Sequence, residues 1–403
     1  MSVAAACSGR TPEPVPRVQV GDIARAYGAA LRDSCALSSE QHAVLRAIER
    51  CRTAALGGHL HVCDQYGYTV PVYNSCRNRH CPTCQSLEQH RWLERRRERI
   101  LPTPYFHVVF TLPAELRPIV MAHREPLFTM LFQAASETLL TLARDDKRLG
   151  ATPAITMVLH TWTRDLRFHP HVHAIVSAGG LRVAEPSHWV RGRPRYLFPV
   201  KVMAKLLRRL FRTALLHAIE TGVVTVPSEC AATLESALFD KRWVVYAKAP
   251  FGGAEQIFAY LGRYTHRVGI SNARILRSDA DGVTFTTKHG GTCTLPQLEF
   301  LRRLLWHVLP KGFHKIRHYG LASASHVRLG TLDRARSLLL KDDPAAAHPS
   351  KPEHCHAPQT WADCLLALTG VDAMRCPRCE TGRLIPQPLA LHDSSSPTLH
   401  DTS

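Results

Sequence analysis

Apolar and polar positions follow two different periods along this chain, and each period predicts its own kind of element. Val172, Ala174 and Val176 alternate with His171 and His173, so this run predicts a strand with one buried face. Further strand-like runs cover 105–112, 155–162 and 243–247, and helical patterns cover 23–31, 40–55, 126–142, 202–221, 254–268 and 297–308. Strands mixed with crossing helices predict an α+β fold, with an antiparallel sheet sandwiched by helices.

Three histidines fall on the strands predicted in the middle of the chain. His171 and His173 share one face of their strand, because side chains alternate between the two faces. His160 lies across from them if the runs at 155–162 and 168–176 form an antiparallel pair. Imidazoles in this arrangement can hold one divalent metal ion. A lone His-x-His, however, is more often a pair of surface or core histidines.

Cysteine spacing indicates a metal site in the first quarter of the chain. Cys81 and Cys84 form a C-x2-C pair, and Cys76 precedes them by five residues, a spacing typical of zinc sites. We take Cys63 as the fourth ligand of a tetrahedral site that stabilises this loop-rich segment. The other candidates for the fourth position are Cys51, His59, His61 and His80.

A second C-x2-C pair, Cys376 and Cys379, lies near the C-terminus. It forms half of a zinc site if a nearby side chain completes it. The candidates for completing it are Cys355, His354 and His356. The chain has 13 cysteines, and tight spacings of this kind favour zinc over disulfides in an intracellular protein.

The charge of the chain indicates a polyanionic partner. Its 51 Lys and Arg residues against 33 Asp and Glu residues give a net charge of +18, and nucleic acid is the leading candidate for such a partner. Basic and aromatic side chains interleave around Lys311, Lys315 and Arg317, as on surfaces that bind a nucleic-acid backbone. No signal peptide or membrane-length apolar run is visible, so we expect a cytoplasmic protein that acts on DNA.

Two tyrosines lie one turn apart on the helix predicted at 254–268. Tyr260 and Tyr264 are i and i+4, so they share one helical face. That face also carries apolar side chains such as Leu261, so by itself the pattern fits an ordinary core stripe better than an active site. Gly262 costs a helix about 1 kcal/mol relative to Ala, a cost that is easier to explain if another molecule approaches the helix there.

These features divide the chain into five segments. We expect a disordered N-terminus, a helical and zinc-binding domain, a domain built on the antiparallel sheet, a helical basic extension that binds DNA, and a tail of low order. Their bounds, in that order, are 1–22, 23–100, 101–285, 286–345 and 346–403.

Together the motifs resemble the HUH endonucleases, named for histidine, a bulky hydrophobic residue and histidine. His171-Val172-His173 is that motif here, and Tyr260-x3-Tyr264 resembles the two-tyrosine group. The block 73–84 is similar to the N-terminal zinc-binding domain of rolling-circle insertion-sequence transposases, and 309–313 also resembles that family. The resemblance covers about 23–320 of the chain, so it implies an HUH-type fold for the sheet domain.

The resemblance implies a transposase that cleaves and rejoins single-stranded DNA through a 5′-phosphotyrosine intermediate. Tyr260 and Tyr264 would be the nucleophiles. A Mg²⁺ or Mn²⁺ ion would be held by His171, His173 and, by similarity to related relaxases, His160. The alternatives for this third ligand are His169 and Gln256.

The family brings further expectations about partners and cofactors. Arg263 and Arg267, one helical turn apart, would neutralise phosphates beside the tyrosines. A structural Zn²⁺ would occupy the N-terminal domain, and a host helicase would be the partner that supplies single strands. The chain departs from the family at Tyr66, where a C-x2-C beginning at Cys63 is usual. Since tyrosine is not an ordinary zinc ligand, the first half of the zinc site is altered here.

Two other functions are compatible with the sequence. A rolling-circle plasmid or phage replication initiator, or a relaxase, shares the same chemistry. The N-terminal zinc block argues against an initiator, and the lack of a G-x4-G-K-[ST] loop argues against a relaxase with a fused helicase. Outside the enzymes, the chain could be a zinc-dependent DNA-binding regulator with an inactive nuclease core. Metal-dependent nicking of DNA distinguishes these functions.

Overall fold

The computed structural model describes residues 18–84, 99–184, 186–251, 269–342, 360, 362–363, 365–366, 370–379 and 381–388. The α-helices in these ranges are α1 (Val20–Ser34), α2 (Ser39–Arg50), α3 (Arg117–Ala122), α4 (Arg124–Arg144), α5 (Val200–Glu220), α6 (Ala231–Phe239), α7 (Gln297–Trp306), α8 (Ala324–Arg328) and α9 (Thr331–Asp342). The strands are β1 (Gly58–Cys63), β2 (Thr69–Tyr73), β3 (Tyr105–Thr111), β4 (Ala154–Trp162), β5 (Phe168–Ser177), β6 (Gly179–Arg182), β7 (His188–Arg191), β8 (Val244–Phe251), β9 (Ile275–Asp279), β10 (Gly282–Thr286), β11 (Thr292–Leu295), β12 (Ile316–Gly320) and β13 (Leu384–Pro388).

A five-stranded antiparallel sheet forms the centre of the fold, in the order β12–β4–β5–β3–β8. β4 and β5 form a hairpin whose connection contains Leu166, a buried residue in the left-handed region with φ 61°. The α+β class and the antiparallel sheet expected from the sequence are confirmed. None of the described helices combines the length and the apolar character needed to cross a membrane.

Side-chain alternation gives the central sheet two different faces. Val172, Ala174 and Val176 on β5 are fully buried in a core shared with α4 and α5, whereas His171 and His173 point to the opposite face. Each large apolar side chain buried in this core contributes about 1.5–3 kcal/mol. The packing therefore fixes the register of β5, since a slip of one residue would press both histidines against the helices.

A second core joins the N-terminal helices to the segment between β8 and β12 of the central sheet. α1, α2 and α7 pack with a three-stranded sheet of order β11–β10–β9. Within it, the rings of Phe285 on β10 and Phe300 on α7 lie 5.8 Å apart. The domain boundary expected between residues 285 and 286 falls inside β10. The sheet and α7 thus form one unit with α1 and α2.

The C-terminal segment returns to the N-terminal domain. β13 pairs with β1 in a sheet of order β13–β1–β2, with Leu384 opposite Cys63. Residues 384–388 are therefore a paired strand, although they belong to the segment expected to have low order. Similarly, α1 begins at Val20, inside the segment expected to be disordered. Composition suggested both expectations, but composition carries no information about a pairing partner far away in the sequence.

Candidate metal and DNA site

Histidines on β4 and β5 converge on one face of the central sheet. His160 pairs directly with His171, and His173 pairs with Val158, so the three histidines lie on the face away from α4 and α5. One possible ligand atom from each histidine lies within 4.8 Å of the others, and the rings of His160 and His173 are 4.2 Å apart. The structure brings together the three residues that the sequence selected.

The two alternatives for the third ligand are placed differently. The ring of His169 lies 5.0 Å from that of His171, but its Nδ1 contacts a guanidinium nitrogen of Arg117 at 3.3 Å. This contact occupies one of the two nitrogens that His169 could offer a metal ion. Gln256 lies outside the described residues.

Burial keeps the imidazoles of His171 and His173 neutral. It lowers the pKa of His171 to about 4 and the pKa of His173 well below its usual value, and neighbouring histidines add to both effects. Neutral imidazole is the form that binds a metal ion. At pH 7, therefore, neither side chain has to lose a proton before it can act as a ligand.

Hydrogen bonds to Nδ1 orient these two histidines. Nδ1 of His171 donates to the carbonyl oxygen of His169 at 2.6 Å, and Nδ1 of His173 lies 2.8 Å from Nε2 of His107. If His173 donates in the second bond, Nε2 of both His171 and His173 carries the lone pair that a metal ion needs. In each histidine, the hydrogen-bond partner of Nδ1 thus determines whether Nε2 is free to bind a metal ion.

The sequence interpretation missed His107. It lies on β3, stacks on His173 with an angle of 2° between the ring planes, and is itself neutral because burial lowers its pKa to about 4. Its one sequence signal was its place as a polar residue inside the strongly apolar run 105–112. A buried structural histidine gives the same pattern, so the run alone could not reveal its contact with the cluster.

A cavity of about 510 Å³ opens over the cluster. The three histidines line it together with three basic residues, Arg164, Arg274 and Lys288, and its described lining contains no Asp or Glu. Trp162 also lines the cavity, and its ring stacks on His160 with 4.8 Å between ring centroids. Neutral imidazoles, cationic neighbours and an aromatic ring suit an anionic ligand such as a DNA phosphate with its base.

The residues expected on the tyrosine helix lie outside the described residues; they are Tyr260, Arg263, Tyr264 and Arg267. The described chain on either side is nevertheless informative. β8 ends at Phe251, opposite Tyr105 of β3, and the chain resumes at 269–271, which line the histidine cavity. The chain therefore leaves the described structure at the edge strand and re-enters it at the rim of the cavity.

Four cysteines form a second cluster at the base of the β1–β2 hairpin. Cys51, Cys76, Cys81 and Cys84 have sulfur atoms that all lie within 4.8 Å of one another. The Cys76 and Cys84 sulfurs are 3.6 Å apart. Hydrogen bonds from Cys76 and Cys81 lower the pKa of the Cys51 thiol to about 7, which favours the thiolate that binds metal.

Cys63, the expected fourth zinc ligand, does not join this cluster; Cys51, one of the alternatives, lies in the fourth position instead. The reason is the geometry of the hairpin. Backbone hydrogen bonds from Arg52 to Asn74 (3.1 Å) and from Asn74 to Gly57 (3.0 Å) hold the end of α2 beside the end of β2. Cys63 lies at the other end of β1, about 16 Å along the strand. The other candidates, His59, His61 and His80, belong to neither cysteine cluster of the described residues.

Comparisons with known proteins give the family. Residues 23–112 match a family model described as "Transposase zinc-binding domain", and residues 154–328 match one described as "Putative transposase". The chain is 42% identical over 400 residues to "Putative transposase y4qJ" of Sinorhizobium fredii, covering 96% of this chain and 98% of that protein. It is 29% identical over 285 residues to "Transposase for insertion sequence element IS801" of Pseudomonas savastanoi pv. phaseolicola, covering 67% of each.

The chain belongs to the insertion-sequence transposases of the rolling-circle type. The family expected from the histidine, tyrosine and cysteine motifs is confirmed. The transposase is therefore an enzyme that cuts and transfers DNA strands, and the replication initiator, relaxase and regulator are not favoured. The zinc-binding domain match supports Zn²⁺ as a cofactor. No solved structure matches the chain.

The structure separates the three basic residues expected to bind DNA in the C-terminal part of the transposase. Lys311 is exposed. Lys315 is half-buried with its ammonium 5.2 Å from the centre of the Trp162 ring, and burial lowers its pKa to about 7. The Arg317 guanidinium packs over the rings of Phe132 and Phe313 at 4.6 and 5.0 Å, on the sheet face covered by helices.

Proposed function

We propose that the transposase cleaves and rejoins single-stranded DNA at the histidine cavity. Tyr260 and Tyr264 act as nucleophiles, and Mg²⁺ or Mn²⁺ is held by His160, His171 and His173. The observation that carries the proposal is the convergence of three imidazoles in a cavity with cationic walls. The proposed partner that supplies the single strands is a host helicase.

The donor set of the cluster fits a divalent ion. Three nitrogen ligands leave positions open for phosphate oxygens, and imidazole suits Mn²⁺ better than a site made only of carboxylates. When bound, the ion would polarise the scissile phosphate and offset its developing charge. The protein's own part is to hold His171 and His173 in the binding tautomer, through the His169 carbonyl and His107.

The tyrosine step conserves the phosphate ester. A tyrosine hydroxyl has a pKa of about 10 and is a weak nucleophile at neutral pH without help. Its oxygen bonds to phosphorus while the bond from phosphorus to the 3′ oxygen breaks. The proton that tyrosine loses is balanced by the one that the 3′ oxygen gains. The products are a 5′-phosphotyrosine and a free 3′-OH, so the reverse attack can rejoin strands without ATP.

Two tyrosines allow two covalent steps within one reaction. Tyr260 and Tyr264 are one turn apart in a helical pattern, so one can hold the cut donor end while the other accepts a second strand. Arg263 and Arg267 lie in the same segment and would neutralise the phosphates there. Lys288 and Lys311 would extend the positive surface, since Lys288 lines the cavity and Lys311 is exposed.

We also assign the structural zinc ion to Cys51, Cys76, Cys81 and Cys84. Four thiols at this spacing fit a closed tetrahedral site, which leaves no position for substrate. The zinc would connect α2 to the knuckle after β2 and so stabilise a segment with few regular elements of its own.

The test uses the purified full-length protein, a labelled single-stranded oligonucleotide from the end of the element, and Mg²⁺ or Mn²⁺. Denaturing gels report a covalent adduct between protein and DNA. The adduct is expected for the wild type and is expected to disappear in the double variant Tyr260→Phe, Tyr264→Phe. Tyr196→Phe, a substitution at an exposed tyrosine, is the matched control and should leave the adduct unchanged.

Two results would contradict the proposal. One is an adduct of undiminished yield in the double variant, which would mean that another side chain attacks. The other is an adduct that forms equally well in excess chelator, which would remove the divalent ion from the reaction. If the protein cleaved duplex DNA as fast as single-stranded DNA, only the proposed preference for single strands would be wrong, and the tyrosine chemistry would stand.

A further inference from the structure

A second cluster of thiols lies where the C-terminal segment meets the end of β1. Cys63 at the end of β1, Cys376 and Cys379 have sulfur atoms within 4.8 Å of one another. The Cys63 and Cys379 sulfurs are 3.7 Å apart, although the residues are 316 positions apart in the sequence. Cys63 and Cys376 are buried. The sulfurs therefore converge from two separate segments in a largely enclosed place.

Backbone N–H groups point at each of the three sulfurs. Tyr66 donates to Cys63 at 3.3 Å, Arg378 to Cys376 at 3.4 Å, and Gly382 to Cys379 at 3.2 Å. Such bonds stabilise negative charge on sulfur, and thiolate is the form that binds a metal ion. A cluster of three thiols packed only for its apolar character would not need donors at every sulfur.

The backbone is also fitted closely around the sulfurs. A Cβ placed at Gly382 would lie 2.5 Å from the Cys63 sulfur and 3.1 Å from the Cys379 sulfur, so glycine is required there. Next to it, the backbone N–H of Arg383 donates to Oδ1 of Asp64 at 2.9 Å, and the backbone N–H of Asp64 donates to the carbonyl oxygen of Arg383 at 3.0 Å. The turn after Cys379 is thereby held against the turn after Cys63.

We propose that Cys63, Cys376 and Cys379 bind a second zinc ion, which fastens the C-terminal strand β13 to the N-terminal strand β1. Soft thiolate ligands in knuckle turns select zinc over the harder ions expected at the histidines. The ion closes the end of the β13–β1–β2 sheet at the pair formed by Cys63 and Leu384.

This second zinc is held less firmly than the one at the four-cysteine cluster. The described residues supply three ligands. Tyr66 lies three positions after Cys63, where a C-x2-C knuckle would have its second cysteine, but its side chain is 66% exposed and a phenol is not an ordinary zinc ligand. With one thiolate fewer among the described residues, the ion exchanges faster, and its loss frees β13 while the N-terminal core stays folded.

The test measures the zinc content of the full-length protein, purified under reducing conditions, by elemental mass spectrometry. The wild type is expected to hold about two zinc ions per chain, and Cys376→Ser about one. Cys230→Ser, which changes a half-buried thiol outside the clusters, is the matched control and keeps both ions. Hydrogen exchange should rise in 58–63 and 384–388 of Cys376→Ser, and remain unchanged in β4 and β5.

A second variant keeps the proposal testable if Cys376→Ser does not fold. Tyr66→Cys adds the missing thiolate, so brief exposure to a chelator should remove about one zinc ion from the wild type and neither from the variant. Equal release of zinc from both proteins would overturn the proposal. It would also be overturned by a folded Cys376→Ser that keeps all its zinc, or by a Cys63–Cys379 disulfide in the freshly purified wild type. None of these results depends on DNA cleavage.

Discussion

The histidine cluster and the four-cysteine cluster differ in how they meet the solvent. The histidines sit on a rigid sheet and open into a cavity with cationic walls. The four cysteines come from the end of α2 and from the loop after β2, and their sulfur atoms lie within 4.8 Å of one another. An open set of neutral nitrogen ligands can exchange a substrate, whereas a closed set of thiolates can only hold the chain together. The predictions below test this division of roles.

The largest effect is expected from removing a histidine ligand. His171→Ala should lower the yield of the covalent DNA adduct by more than about 100-fold, because a ligand contributes more than the groups that orient it. Unfolding temperature should change little, since the side chain faces the cavity and not the core under α4 and α5. His188→Ala, at an exposed histidine of β7, is the control. A variant that keeps full adduct formation would place the metal elsewhere.

The cysteine cluster should show the opposite pattern. Cys51→Ser should remove about one zinc ion and lower the free energy of unfolding by several kcal/mol, because binding of a structural zinc is part of the folding free energy. Zinc analysis and urea unfolding measure the two effects. Cys63→Ser tests this ligand set, because it should lose only the second zinc proposed above and keep the unfolding free energy that Cys51→Ser loses. Loss of that unfolding free energy in Cys63→Ser, with Cys51→Ser unaffected, would restore the original assignment.

His107 should affect the metal affinity of the histidine cluster without being a ligand itself. His107→Ala removes the partner of Nδ1 of His173, so the affinity for Mn²⁺ should fall by about 10–100-fold. Excess Mn²⁺ should then restore adduct formation. His107→Gln is the matched variant, because its amide oxygen can accept the same hydrogen bond. An unchanged affinity in His107→Ala would show that the contact does not orient His173.

The pH dependence should reveal the buried imidazoles. The folded pKa of His171 and His107, about 4, lies below the unfolded value of about 6.5. The unfolded chain therefore takes up protons first as pH falls. Stability from these groups is present above pH about 6.5 and is lost towards pH about 4. Mn²⁺ binding should persist at pH about 5. A binding midpoint near pH 6.5 would contradict the burial of the cluster.

The smallest effect is expected at Arg317, which the sequence assigned to DNA. Arg317→Ala should lower the free energy of unfolding by about 1–2 kcal/mol, because its guanidinium packs over Phe132 and Phe313. Its effect on DNA affinity should be smaller than that of Lys288→Ala, whose side chain lines the cavity. Fluorescence anisotropy with labelled DNA makes the comparison. A larger loss of DNA affinity in Arg317→Ala than in Lys288→Ala would show that Arg317 does contact DNA.

Local periodicity, together with the resemblance to relaxases that favoured His160, led to the histidine cluster. Alternation put His171 and His173 on one face, and a short hairpin allowed only a few registers for His160. The same rule could have placed Arg317, since it pairs with the buried Met157. That pairing depends on β12 joining the edge of β4, and the sequence carries no signal for that contact.

Non-local pairing explains what the sequence did not reveal at the cysteines. The spacing of Cys76, Cys81 and Cys84 indicated a zinc site, but the distance from Cys63 to that site depends on the length and direction of β1. The pairing of β13 with β1 joins residues from opposite ends of the chain. No spacing rule connects β1 with β13, because the many residues between them can close a loop of almost any shape and the local sequence of neither strand indicates its partner.

Direct measurement of Mn²⁺ binding tests the central claim that the histidine cluster is the metal site for DNA cleavage. Electron paramagnetic resonance would count Mn²⁺ bound to the zinc-loaded full-length protein and to the triple variant His160→Ala, His171→Ala, His173→Ala. The account predicts about one bound Mn²⁺ per chain in the wild type and none in the triple variant, with zinc content unchanged. Equal Mn²⁺ binding by the two proteins would contradict it.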